Sequence, residues 1–262
     1  MAMFAGIRAA LRRAVILAVA LFLPLLAGFA EPLAAGKGRS GPDLVVVEMF
    51  TSQSCSSCPP ADAFLGDLAR RQDVLALSMH VDYWNSLGWR DPFSSRDVTS
   101  RQRRYAGALG TGYVSTPQAI IQGRSYAVGS DRGAVLRQIE AVRRDGGPGI
   151  QPELEPSGRD RVTLRLPQQR LRAPATIWFV AFDDRHTAQI GAGENAGATV
   201  TYTNVVRDLR RIGTWTGEAR SWEIDISNDR RSGFGNCAVL IQSRESGPLL
   251  GAVALPMAAS GH

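Results

Sequence analysis

Lysine is almost missing from this chain of 262 residues: Lys37 is the only one, and arginine supplies the rest of the 30 basic side chains. Histidine and cysteine are scarce too, at three each. No cluster of basic residues is interleaved with aromatics, which excludes the electrostatic footprint of a nucleic-acid-binding surface. The formal charge of +6 is no counterargument, because Arg8, Arg12 and Arg13 at the N-terminus account for half of it. We read the near-exclusive use of arginine as genome composition. Long apolar runs are absent beyond residue 30, so no later stretch is apolar enough to span a bilayer.

The first thirty residues stand apart. The three arginines form a basic n-region, Ala14 to Leu26 an apolar h-region, and Gly28-Phe29-Ala30 offers small residues where a signal peptidase cuts. The uncharged stretch Ala14 to Ala30 approaches the ~17 residues of a membrane span, so an uncleaved anchor is the alternative. Pro24 within the run and the small-residue exit favour cleavage. The reading is a signal peptide over 1–30, a linker rich in Ala, Gly, Pro and Ser over 31–42, and a periplasmic or secreted mature chain with no stable membrane span.

Export changes what cysteine means, because a pair persists as a disulfide in an oxidising compartment. Cys55 and Cys58 bracket two serines, after the apolar run Leu44 to Val47 and before Pro59 and Pro60. A buried strand, a polar turn, Cys-x-x-Cys and a helix form the start of a thioredoxin-like βα unit. The spacing puts both sulfurs in one helical turn, and the helix N-terminus favours a thiolate on the first. Cys237, inside the strand-like Asn236 to Ile241, reads as a small buried hydrophobe.

Strands are expected over 44–49 and 74–80, with a helix over 59–71 between them and another over 97–109. A hairpin over 119–122 and 125–128 turns at Gly123-Arg124, and Ser130 or Asp131 caps a helix running to about Arg144. Gly146-Gly147-Pro148-Gly149 marks a domain boundary. Beyond it come short alternating segments at 161–166, 176–183, 199–206, 221–226, 237–243 and 250–255, without a helical period. The expected fold is an α/β thioredoxin-like domain over 43–146, a mixed sheet with flanking helices. A small antiparallel all-β domain, sandwich-like, follows over 150–257. Gly191 to Gly197 lacks the strand–helix context of a nucleotide loop and reads as a flexible hairpin connection.

The element order through residue 144 resembles the thioredoxin fold, including Thr116-Pro117 just before the third strand. That resemblance implies a cis peptide facing the cysteine pair. A closer resemblance rests on Val47 to Asp62, His80-Val81-Asp82-Tyr83-Trp84, Thr116-Pro117-Gln118, Val128-Gly129-Ser130-Asp131, Gly193-Glu194-Asn195 and Asn204 to Leu209. Together these resemble a bacterial family of secreted thioredoxin-like proteins known as domain of unknown function 1223. That resemblance covers essentially the whole mature chain, and implies little about activity. The pair departs from ordinary thioredoxins in being followed by Pro-Pro and lacking a preceding tryptophan. Thioredoxins relay protons through a buried acid, and Glu48 is the candidate here, although one residue further from its cysteine than that pattern puts it.

Three readings of function remain open. In the first, a thiol–disulfide oxidoreductase acts on a protein partner: Cys55 is the exposed nucleophile, Cys58 resolves, and Thr116, Pro117 and Trp84 bind the substrate backbone. No cofactor is needed. In the second, Cys55, Cys58 and His80 hold Cu(I) as a metallochaperone, since copper prefers soft ligands. His80 has a plainer role as well, bonded to Asp82 or to a backbone carbonyl. Asp82, Tyr83, Trp84 and Trp89 line a groove or cover an insertion. In the third reading the pair is a structural disulfide in a binding protein.

Overall fold

The computed structural model describes residues 38–41 and 43–257. The expected signal segment over 1–30 lies outside the described residues, as does most of the expected linker. Within that linker, Arg39–Ser40 form a short strand, β1, paired with Ala254 and Val253. Among the described residues no helix is long and apolar enough to cross a membrane.

The N-terminal half follows its pattern closely. Strand β2 (Val45–Thr51) leads through the cysteine turn into α1 (Pro59–Ala69), then β3 (Val74–His80) lies parallel to β2. Helix α2 (Arg96–Leu109) starts one residue before the expected 97, where the Ser95 hydroxyl accepts the Val98 N–H as a side-chain cap. The hairpin β4 (Gln118–Ile121) and β5 (Ser125–Val128) follows, with the Thr116-Pro117 peptide cis before it. Asp131 then caps α3 (Arg132–Arg144) by accepting the Ala134 N–H.

Beyond α3 come β6 (Glu153–Pro156), β7 (Arg161–Leu166), β8 (Ala175–Gln189), β9 (Thr199–Trp215) and β10 (Arg220–Asp225), then the short α4 (Ser227–Arg231), β11 (Asn236–Ser243) and β12 (Leu249–Pro256). Four of these strands join the first half rather than forming a sheet apart. One nine-stranded mixed sheet runs β1-β12-β11-β8-β9-β3-β2-β4-β5, and only β6, β7 and β10 make a second, three-stranded sheet. The expected division into domains at 43–146 and 150–257 is therefore corrected: β9 lies parallel to β3, with Val205 opposite Ser78. The cause is local. The Asn204 backbone takes a left-handed φ of 50°, and its amide donates to the Ala76 carbonyl at 2.8 Å, fastening one half to the other.

Side chains alternate across this sheet and create its layers. On one face a continuous core runs from Phe50, Leu77 and Ile120 to Trp178, Leu240 and Leu249, with Val98 and Tyr105 of α2 packed into it. On the other face, Val45, Val47 and Met49 pack against Phe64, Leu65 and Leu68 of α1 and Val135 and Ile139 of α3. The same face further along, carrying Ile177, Phe179, Val239 and Val253, packs against Leu154, Leu164 and Ile224 of the small sheet. The fold is mixed α/β, with one large mixed sheet and few helices.

Candidate functional site

Cys55 and Cys58 are joined by a disulfide, their Cα atoms 5.4 Å apart, in the turn between β2 and α1. The Cys58 N–H donates to the Cys55 carbonyl, and the Cys58 carbonyl accepts the N–H groups of Ala61 and Asp62, so the second cysteine opens the helix. The turn is thus a by-product of helix initiation, with Pro59 and Pro60 at positions that need no intrahelical donor. Ser56 and Ser57 face solvent. The sulfurs do not: Cys55 is 1% exposed and Cys58 fully buried. The exposed nucleophile expected at Cys55 is corrected here.

The backbone of this turn is held from 140 residues along the chain. The tip of the β8–β9 hairpin lies on the turn, where Asn195 Nδ2 donates to the carbonyls of Gln53 (2.9 Å) and Cys55 (2.8 Å). Glu194 Oε2 accepts the Ser56 N–H at 3.1 Å, and the Ser56 hydroxyl, together with that bond, holds the carboxyl below its usual range. Trp89 fills the side: its Nε1 donates to Gln53 Oε1 at 2.7 Å, and its carbonyl accepts the Ser54 hydroxyl. A Cβ on Gly191 would sit 2.8 Å from the Trp89 ring, so only glycine allows the tip this close. The segment 191–197 is a hairpin connection as expected, but one packed on the disulfide turn.

Behind the disulfide lies a buried polar group. His80, opposite Thr51 in the β2–β3 register, places Nδ1 2.6 Å from Asp91 Oδ2. Its partner is therefore Asp91, neither Asp82 nor a backbone carbonyl. Burial acts to raise the Asp91 carboxyl. His80 and the N–H groups of Gln53 and Phe93 overcome it and hold the carboxyl below its usual range. The His80 ring packs edge-on to Tyr202 and Phe93.

Asp62, one turn into α1 from Cys58, is 3% exposed. Burial pushes its carboxyl up to about 7, against the opposing pull of His80 and with Asp91 adding to the rise. Asp62 Oδ1, His80 Nε2, Thr51 Oγ1 and Gln53 Nε2 are all buried without a hydrogen-bond partner. A lone acid among the apolar positions Ala61, Leu65 and Leu68 is the signal that marks Asp62 in the sequence.

The other acid has a different occupation. Glu48 alternates with Val47 and Met49 and so faces α2, away from α1. There Arg101 Nε lies 2.5 Å from Oε1, and Arg101 Nη2 (3.1 Å) and the Tyr105 hydroxyl (2.5 Å) donate to Oε2. Arg101 also donates to Gln242 Oε1 from β11. Glu48 is a structural partner of α2, which corrects its candidacy as proton relay.

Trp84 and Thr116 come together as a pair, the indole N–H donating to Thr116 Oγ1 at 2.8 Å. Thr116 makes no backbone hydrogen bond among the described residues, whereas the Pro117 carbonyl accepts the Gly129 N–H. Pro117 and Ala61 of α1 both border Gly129, where an added Cβ would lie 3.0 Å from the proline and 3.2 Å from the alanine. Pro117 thus stands beside the first turn of α1. Cys237 is a free, buried thiol that burial pushes up to about 12. Among the described residues no three His, Cys, Asp or Glu side chains converge as a metal site.

A family model described as "Protein of unknown function (DUF1223)" matches residues 46–242. Among solved structures, that of protein AGR_C_4864 from Agrobacterium tumefaciens is 33% identical, with a TM-score of 0.73 over 83% of this chain and 96% of that one. HBP35 of Porphyromonas gingivalis is 15% identical, with a TM-score of 0.54 over 84% of this chain and 79% of the other, a likeness of fold alone. No curated protein matches the chain.

Proposed function

The chain belongs to the family described as Protein of unknown function (DUF1223), and from its disulfide turn we propose an exported, thioredoxin-like protein that exchanges disulfides with protein partners through Cys55 and Cys58. The observation that carries this reading is the position of the pair: a two-residue disulfide ring whose second cysteine opens a helix, at the end of a central strand. Only there do helix N–H groups favour a departing thiolate. Thr116, with its peptide group free of backbone partners and its hydroxyl held by Trp84, supports pairing with an extended partner strand beside Pro117.

The exchange balances as follows. A partner thiolate attacks Cys55 Sγ, the Cys55–Cys58 bond breaks, and Cys58 leaves as a thiolate. A second partner thiol loses its proton and attacks the partner sulfur of the mixed disulfide, releasing Cys55 as a thiolate. Two electrons pass to the pair, which takes up two protons, and the partner ends with a disulfide; the reverse sequence reduces a partner. Asp62 replaces Glu48 as the acid for this step, because it lies one turn from Cys58 and burial keeps its proton near neutrality.

The reading is tested by the equilibrium of the pair against glutathione. A reduction potential between about −120 and −270 mV supports exchange, and one below about −300 mV marks a structural disulfide. The structural disulfide is the second reading, favoured by the burial of Cys55.

A further inference from the structure

The sulfurs of a pair that exchanges disulfides must be reached by another chain, yet here the chain covers them itself. We propose that the hairpin tip Gly191–Gly197 is a self-docked clasp, occupying the face of the disulfide turn that a partner backbone takes, and that it must lift before Cys55 reacts. The partner half of this statement rests on the redox reading above; the covering half does not.

Three observations carry it. First, the clasp uses the hydrogen-bonding groups that an extended partner would use: two carbonyls of the turn, at Gln53 and Cys55, and one N–H, at Ser56. Asn195 and Glu194 satisfy these groups from their side chains as a partner would from its backbone.

Second, the clasp is built to hold its own shape apart from the turn. Gly197 N–H donates to the Ile190 carbonyl, Ala198 N–H to Asn195 and Ala196 N–H to Gly193, so lifting it breaks contacts with the turn but few within the tip. Buried Ile190 and Tyr202 anchor the arm below it, which confines the motion to the tip.

Third, Glu194 sets a carboxylate on the amide next to Cys55. Negative charge there opposes a thiolate on Cys55, so the closed clasp both hides the sulfur and weakens it as a nucleophile or leaving group. Partner docking that displaces Glu194 removes both effects at once. The partner surface is therefore the strip Gln53–Ser56, and it fits an extended segment that presents two N–H donors and one acceptor.

The test is the rate at which a water-soluble phosphine reduces the disulfide in the native protein. Phosphine reduction is irreversible, so the rate reports access to the sulfurs and the ease with which a thiolate leaves, and not the equilibrium potential. Asn195→Ala, and Glu194→Gln with Asn195→Ala, are expected to raise the rate at least tenfold over the unaltered chain. In guanidinium all three proteins should react alike. The urea midpoint is measured alongside. If it falls, Glu194→Gln alone decides, since it keeps the shape of the tip but offers the Ser56 N–H a neutral, weaker acceptor and takes the charge away from Cys55, and a rise of at least threefold is expected. Variants that react within twofold of the unaltered chain overturn the clasp, whatever the glutathione equilibrium says about redox function. A pair that is structural by that equilibrium but faster in the variants overturns only the partner half.

Discussion

Asp62 ties the disulfide turn to pH. Its carboxyl rises from an ordinary 3.8 to about 7 in the folded chain, burial being the main cause. Between those pH values the folded state keeps a proton that the unfolded state has lost, so stability falls as pH rises and the full penalty is present above about 7. Three pKa units correspond to about 4 kcal/mol. Asp62→Asn is expected to stabilise the protein by about 2–4 kcal/mol at pH 8 and to change little at pH 4, read by urea unfolding with the disulfide intact. An equal effect at both pH values would show that Asp62 is not the titrating group. Glu48 and Arg101 make the opposite case, two buried charges that satisfy each other. Arg101→Met leaves the Glu48 carboxylate unpaired and is expected to cost about 3–5 kcal/mol, while Glu48→Leu with Arg101→Met recovers most of it. A double variant as unstable as the single one would defeat that account. The cysteine pair was legible because its spacing is its chemistry. Asp91 and Asn195 were not, because a polar residue in a loop declares its role only through the partners that folding brings to it; Asp62 was marked only by its place on the apolar face of α1.

At the scale of elements, the first three helices and the first long strands follow from period and caps, and the longest misses share one cause. The end of β8, Asp183–Gln189, and the continuation of β9 from Arg207 to Trp215 carry polar side chains on both faces. No apolar alternation marks them, yet β8 and β9 pair along nearly their whole length. Only 199–206 of β9 was expected, and β8 was expected to stop at Asp183. Strand β6 was missed because Pro152 and Pro156 bracket it, which suits an edge strand. Asn204 is the joint that matters most here. Asn204→Ala loses the bond to Ala76 and strains a left-handed backbone, at an expected cost of about 2 kcal/mol; Asn204→Gly loses the bond but not the backbone freedom and should cost about half. Urea unfolding of both variants decides it, and equal losses would remove the backbone part of the argument.

Across the whole molecule, the Gly146–Gly149 string marks a change of direction and not a boundary. Directly after it, the Ile150 N–H donates to the Leu250 carbonyl, and the chain rejoins the same sheet. Gln122 reaches Leu249, and Arg101 reaches Gln242, so buried polar groups of the first half find partners in the second. A chain ending at Pro148 is expected not to fold cooperatively, and the full chain to unfold in one urea transition by both tryptophan fluorescence and far-ultraviolet circular dichroism. Separated transitions would restore two independent domains. The long β8–β9 hairpin then acquires a further property: it is a ruler. Its lower end is fixed by Asn204 on β3 and its upper end must bring Glu194 and Asn195 level with the cysteine turn. One residue added to either upper arm would turn every later side chain to the opposite face, and one added to both would lift the tip by about 3 Å. Insertions and deletions should therefore be tolerated at the exposed turn near Gly158 and rejected between Val205 and the tip, where chain length itself is the specification.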